Sequence, residues 1–233
     1  MGLSGAAAAA AAEQARLAAE KERLKKGKNP DQCKAIDFFY AVGDGSGCGC
    51  LGGEKVITME QYIAMVQKKL GSVNVRQMAL NKIGLDESEI QEIPPIVLSS
   101  FVFDDDCLVK ADGSNAVTSQ YSVTWIFFSR TQMYTYKYIF DTTSNNNWEL
   151  TNDFFYSDIT CFSTERENRQ KVEVKIKKGC LGGEDVISSM YVNDILKITV
   201  PNMTYTVYMR NSPVVEQSIQ AAKNMLREKK FSQ

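Results

Sequence analysis

SQYSVTWIFFSRTQMYTYKYIFD, from Ser119 to Asp141, carries the strongest structural signal in the chain. It contains two runs rich in β-branched and aromatic residues, 119–129 and 132–141, which are connected through SRT. Runs of this composition with so short a connection are typical of a β-hairpin. In YTYKYIF, polar and apolar residues alternate, which indicates a sheet with one face towards water. The stretch therefore predicts two antiparallel strands.

The same composition extends on both sides of this hairpin, from residue 96 to residue 209. Turn clusters such as DDD and DGSN divide the region into segments that each predict a strand. These segments are 96–103, 107–111, 119–129, 132–141, 154–163, 171–178, 195–200 and 204–209. We expect them to form about seven antiparallel strands.

A helix is predicted after the last strand. Ser212 is its expected N-cap, and Pro213 suits its first turn. An apolar stripe at helical spacing consists of Val215, Ile219, Ala222 and Leu226. A bent sheet with an open end could be closed by this helix, which would bury its stripe and cover the sheet edges together.

The N-terminal part of the chain is predicted to be helical. Residues 1–28 form an Ala-rich arm without a broad apolar stripe, for which an exposed helix and a disordered low-complexity segment are equal alternatives. Residues 30–93 form a small helical region whose expected N-caps are Asn29, Thr58 and Asn74. These helices precede the strands and the final helix predicted at residues 96–230. The predicted fold class is therefore α+β.

The 233 residues include no histidine, and the net charge is −1. Without histidine, catalytic triads built on it, HExxH metal sites and zinc fingers with histidine ligands are excluded. The near-neutral charge gives no overall attraction to nucleic acid, so we predict no nucleic-acid partner. We predict no catalytic residues and no enzymatic activity, and therefore no small-molecule substrate.

Three of the six cysteines, Cys33, Cys48 and Cys50, form the candidate metal site. Thiolates bind zinc and iron, and the glycines of GDGSGCGCLGG would let the loop fold around an ion. The alternative is a glycine loop with small buried thiols, since structural zinc needs four ligands. The loop lacks the lysine of a phosphate-binding P-loop, and we predict no cofactor.

The phrase CLGGE-x-VI occurs twice, beginning at Cys50 and at Cys180. Both copies contain a Gly-Gly turn after the cysteine and a Val-Ile pair behind it. If the two cysteines lie close together, they could share a thiol site. If they do not, the copies are two separate turns.

The order of strands and final helix resembles the pleckstrin-homology (PH) superfold, in particular bacterial PH-like and GRAM-like domains. The residues that carry this resemblance are FFYSDITCFST (154–164), KVEVKIKKGCLGG (171–183), ILKITVPNMTYTVYM (195–209) and VVEQSIQAAKNMLREKK (214–230). It implies an antiparallel β-barrel capped by the C-terminal helix, preceded by the helical region. The chain as a whole also resembles proteins of gut-type bacteria, which implies no particular activity.

The resemblance implies a binding module whose ligands are lipid headgroups, peptides or a second copy of the chain. In eukaryotic PH domains, basic residues between the first two strands bind phosphoinositides. Here Asp104, Asp105 and Asp106 occupy that loop and would repel a phosphorylated headgroup. We therefore expect a non-enzymatic module acting through protein–protein contacts or self-association, with the Ala-rich arm as a contact element.

Two alternatives remain open. The first is a peripheral binder of anionic membranes, if Lys175, Lys177, Lys178, Arg210, Lys229 and Lys230 form a cluster. The second is a cysteine-based metal or redox protein. A cytoplasmic location is expected, because the sequence begins without the features of a cleavable signal peptide and no apolar run reaches membrane-spanning length.

Overall fold

The computed structural model describes residues 3–41, 56–90, 92–112, 115–177 and 183–231. Within these ranges the protein is α+β. The five α-helices are α1 (Leu3–Lys25), α2 (Pro30–Tyr40), α3 (Met59–Gly71), α4 (Val75–Ile83) and α5 (Pro213–Phe231). Two single-turn 3-10 helices, Glu87–Glu89 and Tyr156–Asp158, lie before β1 and before β7.

The helix ends follow the local sequence signals. Asn29 and Thr58 each accept the backbone N–H of the residue three positions on, and a glutamine there returns the bond as a capping box. Asn74 caps α4, which ends at Gly84 with a φ of 75°. Glycine reaches this left-handed conformation without the steric cost of a Cβ. These three N-caps are confirmed.

Nine strands are described, and their pairing is antiparallel throughout. They are β1 (Ile96–Phe101), β2 (Val109–Asp112), β3 (Asn115–Thr118), β4 (Gln120–Phe128), β5 (Gln132–Asp141), β6 (Asn147–Phe155), β7 (Cys161–Lys177), β8 (Gly183–Val200) and β9 (Met203–Met209). The predicted hairpin is confirmed as β4 and β5, in a register that places Trp125 opposite Tyr136.

The described strands form three separate sheets. The first has the order β1-β4-β5-β6, the second consists of β2 and β3, and the third has the order β7-β8-β9. Among the described strands no ladder closes into a barrel. The sheet of β7, β8 and β9 is called the second main sheet below, and the sheet of β1, β4, β5 and β6 the central sheet.

The central sheet has a hydrophobic core on each face. On one face, aromatic residues of β4 and β5 pack against α2, α3 and α4; among them are Tyr121, Phe127, Tyr136 and Phe140. On the other face, residues such as Ile126 and Met133 pack against the second main sheet and α5. The helical region and the strands therefore share a core and are not packed as independent units.

Helix α5 buries the predicted stripe. Ile219, Ala222 and Leu226 belong to the core between the sheets, and Val215 packs at its margin. The hydroxyl of Ser212 accepts the backbone N–H of Val215 at 3.2 Å, as expected of the N-cap residue. The predicted C-terminal helix is thus confirmed, together with the face that it buries.

Two sequence predictions about strands are wrong, and two strands were not predicted. The segment 154–163 is not one strand, because β6 ends at Phe155 and the turn Tyr156–Asp158 separates it from β7. The strand β6 itself was assigned to no predicted segment before residue 154, and β3 was missed. The predicted water-exposed face of β5 is also wrong, since helices cover one face of this strand and the second main sheet covers the other.

Candidate functional site

The candidate metal site lies only partly within the described residues. Cys33 is on α2, and its partly buried thiol lies 3.9 Å from the carbonyl oxygens of Lys25, the last residue of α1, and of Lys28 in the following connection. Cys48 and Cys50 lie outside the described residues, as does Cys180. The metal site therefore stays a prediction. Whether Cys50 and Cys180 of the two CLGGE-x-VI copies lie close together is likewise untested.

Within the described ranges, no group of three or more Cys, Asp or Glu residues is placed to hold a metal ion. The thiols of Cys33, Cys107 and Cys161 are free. Burial, reinforced by the carboxylates of Asp104 and Asp106, raises the pKa of the Cys107 thiol to about 11. A thiol with so high a pKa is a poor nucleophile at neutral pH.

The acidic loop is exposed, as a hairpin turn would be. Asp104, Asp105 and Asp106 all face solvent, and Asp104 accepts a hydrogen bond from the hydroxyl of Tyr208 at 3.2 Å. The loop thus presents carboxylates near the end of β9. The expectation that a phosphorylated headgroup does not bind here stays a prediction.

The described residues proposed for a membrane surface lie on several elements, and two of them have partners within the protein. Lys229 pairs with Glu92 at 3.0 Å, and Lys230 donates to the carbonyl oxygen of Ile159. Arg210 is exposed beyond the end of β9. Lys175 and Lys177 belong to β7, and Lys178 lies outside the described residues. The membrane alternative remains a prediction.

Two large apolar side chains are exposed on β6 with one residue between them. Trp148 and Leu150 are 40% and 45% exposed, on an edge strand of nine residues. Among the described strands, β6 pairs with β5 alone. We call the free side of this strand, Asn147–Phe155, the β6 edge.

Trp148 and Leu150 lie on the same face of the central sheet. They are opposite Ile139 and Lys137 of β5, on the side that packs against the second main sheet. Both side chains are left partly in water. On the opposite face, Glu149 forms an ion pair with Lys82 of α4 at 3.6 Å. The edge is therefore anchored on one face and apolar on the other.

An exposed edge of this length is an established route to protein association. Its outward N–H and C=O groups can pair with another strand, and natural proteins usually protect such edges with charge, proline or a covering segment. Within 147–155 there is no proline, and the charged residues are two acids, Glu149 and Asp153. The β6 edge is the candidate functional site.

The second candidate contact element is α1. Its residues 15–19 are all exposed, and Leu17 is 40% exposed. The C-terminal end of this helix is held by Asp37 of α2, whose carboxylate lies 2.6 Å from Lys21 Nζ and 3.0 Å from Lys25 Nζ. Burial opposes ionisation of Asp37, but the two ammonium groups hold its pKa below the ordinary value.

Sequence reasoning missed the β6 edge because its strand was not recognised. The residues WELTNDFF follow the loop TSNNN and alternate between apolar and polar side chains over Trp148, Glu149, Leu150 and Thr151. That alternation was the available strand signal. Exposure of the edge could not be read from it, because exposure depends on which strand lies alongside.

None of the helices in the described ranges has the length and hydropathy that a membrane crossing requires. No family model, curated protein or solved structure matches the chain. The proposals below therefore depend on the geometry of the protein.

Proposed function

We propose that this protein is a non-enzymatic assembly module that acts through protein–protein contacts, and that a second copy of the chain binds at the β6 edge. The observation that carries the proposal is the free side of β6, with Trp148 and Leu150 exposed beside it. Two such edges related by a twofold axis would pair as antiparallel strands and extend the central sheet from four strands to eight.

The charges of the strand favour one register of this pairing. Residues directly opposite each other in an antiparallel pair interact, and like charges there are unfavourable. A twofold axis at Thr151 would place Glu149 opposite Asp153 of the second copy, and an axis at Glu149 would place two glutamates together. An axis at Leu150 avoids both arrangements and keeps Trp148 inside the pairing.

With the axis at Leu150, the two leucines are opposite each other and Trp148 is opposite Asn152 of the second copy. Glu149 is opposite Thr151, and Asn147 is opposite Asp153. The pairing would remove apolar surface of the tryptophan and leucine from water in both copies, which favours association. Backbone hydrogen bonds between the two edges would add to it.

Helix α1 supplies a second contact element in this proposal. Its exposed residues 15–19 extend from the part of the helix that Asp37 anchors to α2. A helix that is held at one end and exposed over residues 15–19 can lie against a neighbouring subunit. This element corresponds to the Ala-rich arm that the sequence analysis identified.

We also propose that the central sheet, the second main sheet and α5 constitute a PH-like fold. The support is the meander of four strands followed by three, with β2 and β3 as an inserted hairpin, and with α5 in the core between the sheets. Arg210, just after β9, donates its backbone N–H to Ser99 of β1 at 3.1 Å, which brings the first and last strands together. An experimental structure with β1 and β9 apart would reject this assignment.

The assembly proposal is tested by light scattering of the full chain over a range of concentrations. Wild type should form a dimer, and Leu150→Lys should be monomeric because it places two ammonium groups opposite each other at the axis. Val97→Lys is the matched control. Val97 is 40% exposed on β1, the opposite edge strand of the central sheet, and this variant should remain a dimer.

A monomeric wild type at all concentrations would reject self-association. A dimer that survives Leu150→Lys would place the interface elsewhere. In that case, light scattering of Leu17→Glu tests α1. A monomeric Leu17→Glu would indicate that the dimer interface is formed by the Ala-rich arm. Circular dichroism of each variant verifies that the fold is retained.

A further inference from the structure

Strand β7 is an edge strand of the second main sheet and has a free side. It pairs with β8 along its whole length, and with no other described strand. Pairing between β8 and β9 ends where Asp194 lies opposite Met209. Residues 167–177 of β7 therefore belong to a two-stranded ribbon that continues past the third strand. We call the free side of residues 165–177 the β7 edge.

The two-stranded part of this sheet gains little stability by itself. Isolated pairs of strands are at best marginally stable in water, and independent stability takes three or more strands. The free side of an edge strand also offers N–H and C=O groups without a partner strand. A further strand alongside residues 167–177 would satisfy these groups and widen the ribbon.

The charges of the β7 edge restrict which strand can pair with it. Alternate residues of a strand occupy the same face of a sheet, and here every second position is charged. In chain order these residues are Glu165, Glu167, Arg169, Lys171, Glu173, Lys175 and Lys177. Like charges directly opposite each other are unfavourable, so a charged edge opposes pairing with most strands. A partner strand must carry the opposite charge at each matching position.

A second copy of β7 meets this requirement in one antiparallel register. With a twofold axis at Lys171, every charge on one side of the axis is opposite the reverse charge of the second copy. The opposed positions are Arg169 and Glu173, Glu167 and Lys175, and Glu165 and Lys177. Each of these pairs occurs twice in a twofold arrangement. The two copies of Lys171 at the axis are the one like pair.

The neighbouring registers lack this match. An axis one residue before Lys171 would place Glu167 opposite Glu173. An axis one residue after it would place Arg169 opposite Lys175. Each of these like pairs would occur twice, which is unfavourable. The order of charges along β7 therefore selects the axis at Lys171.

The structure provides space for a second copy beside β7. An open cavity of about 870 Å³ lies between the N-terminal part of α5 and three consecutive residues of β7, Thr164, Glu165 and Arg166. Successive side chains of a strand point to opposite faces, so a cavity that meets three in a row borders the edge of the strand. Because β8 occupies one side of β7, the cavity borders the free side.

The charges of this cavity fit the residues that would enter it. The charged side chains of its lining are the acids Glu165, Asp194 and Glu216 and the base Arg166. With the axis at Lys171, Lys177 of the second copy is opposite Glu165 and enters this acidic surrounding. Glu165 already accepts a hydrogen bond from Lys197 of its own chain, and a carboxylate can accept from a second ammonium group.

We propose that the β7 edge binds the β7 edge of a second copy, antiparallel and with the twofold axis at Lys171. The two ribbons then form one sheet in the order β8-β7-β7-β8. This contact does not depend on the β6 edge and goes beyond it, because a chain with two different twofold contacts can join dimers into longer assemblies. Its ion pairs are exposed, so salt weakens it, whereas the apolar contact at the β6 edge persists.

Light scattering of full-length Leu150→Lys tests this contact alone, because that substitution opposes pairing at the β6 edge. At about 10 mM salt, where the Debye length is about 30 Å, the variant should dimerise as its concentration rises. At about 1 M salt, where the Debye length is about 3 Å, it should be monomeric. Wild type should be the dimer of the β6 edge at about 1 M salt and should grow beyond a dimer at about 10 mM.

Charge reversal in the same variant tests the register. Arg169→Glu should weaken dimerisation at low salt about tenfold, because it creates two pairs of like charges, and Glu173→Arg should do the same. The two substitutions together should restore the affinity. Within the chain these positions are opposite the uncharged Tyr191 and Ile187, so the hairpin gains no like pair. Arg227→Glu, exposed on α5, is the control for net charge and should leave the affinity unchanged.

A cysteine at the axis gives an independent measurement. Directly opposite residues in an antiparallel pair have Cα atoms about 4.5–5.5 Å apart, which suits a disulfide. Lys171→Cys should therefore link two copies through position 171 on oxidation at low salt. Glu165→Cys is the control, because its two copies would be about 40 Å apart. Peptide mapping by mass spectrometry identifies the linked positions.

A Leu150→Lys protein that stays monomeric at low salt at every concentration would overturn the proposal. So would a dimer whose affinity the paired charge reversals fail to restore, or a disulfide through position 165 in place of position 171. Failure of the proposed contact at the β6 edge gives a different result. In that case Leu150→Lys and wild type would have the same mass at about 1 M salt.

Discussion

Lys137 of β5 donates a hydrogen bond to the carbonyl oxygen of Thr206 in β9, with 2.7 Å between Nζ and O. The bond joins the central sheet to the second main sheet. The same ammonium group lies 4.7 Å from the centroid of the Tyr205 ring. Burial lowers the pKa of Lys137, against the smaller opposing effect of the Asp104 carboxylate.

The lowered pKa predicts how Lys137 changes stability with pH. As pH rises towards the ordinary lysine pKa of about 10.4, the folded protein loses the proton before the unfolded chain does. Burial of the charge therefore costs less at high pH, and the protein gains stability from this residue. The free energy of unfolding of wild type should rise relative to Lys137→Met between neutral pH and pH about 10.

Urea unfolding at several pH values measures this difference. Lys34→Met is the control, because Lys34 lies on the surface of α2 in an exposed ion pair with Asp31. The difference in free energy of unfolding between wild type and Lys34→Met should not rise with pH in this way. A constant difference between wild type and Lys137→Met across the range would contradict the predicted effect of burial on this ammonium group.

Tyr62 anchors α3 to the β-region. Its hydroxyl, fully buried, donates to the carbonyl oxygen of Thr118 at 2.7 Å and lies 2.9 Å from the hydroxyl of Thr142. Tyr62→Phe leaves the Thr118 carbonyl without this donor, so we expect the free energy of unfolding to fall by about 1–3 kcal/mol. Urea unfolding measures this loss. Tyr40→Phe, at a partly buried position on α2, should lower the free energy of unfolding by less than Tyr62→Phe does.

Asp37 predicts an acid sensitivity in the attachment of α1. Because its folded pKa is depressed, its contribution to stability is present above the ordinary aspartate pKa of about 3.9 and is lost as pH falls through the folded pKa. Asp37→Asn should therefore destabilise the protein at neutral pH, by an amount that shrinks towards zero in acid. Asp31→Asn removes only an exposed pair and should have little effect at any pH.

The core between the sheets depends on α5. Ile219 is 2% exposed in that core, and Ile219→Ala should lower the free energy of unfolding by about 2–5 kcal/mol, through lost burial and the cavity left behind. Val214 on the same helix is 71% exposed, and Val214→Ala should change the free energy of unfolding by no more than about 0.5 kcal/mol. Similar losses for both variants would show that α5 does not pack as described.

The two described cysteines outside the helical region should differ in reactivity. Cys107 is half-buried with a pKa raised to about 11, whereas Cys161 is exposed. Iodoacetamide reacts with the thiolate, so at pH about 8 it should modify Cys161 well before Cys107. Peptide mapping by mass spectrometry measures both rates in one sample. Faster modification of Cys107 would contradict its burial and the pKa that follows from it.

Local features of this protein follow from its sequence. Asn29, Thr58 and Asn74 cap helices because a side-chain oxygen next to the first turn satisfies free backbone N–H groups, whatever surrounds it. The hairpin of β4 and β5 follows from two β-rich runs with a short connection. The buried stripe of α5 follows from apolar residues at helical spacing. Each signal spans a few residues.

Other features depend on contacts between residues far apart in the chain. Alternation around Lys137 predicts a water-exposed face, but the second main sheet covers that face and Thr206 accepts from the ammonium group. The β6 edge is open because no described strand other than β5 lies beside it.

The physical reason for this division is the range of the interactions. Capping, turn chemistry and periodicity act over one or two turns of backbone, so the order of residues is enough to specify them. Burial, edge exposure and unsatisfied polar atoms are properties of a packed arrangement, since the elements that cover or expose a side chain lie tens of residues away. The β6 edge, a proposed binding surface, belongs to this second kind.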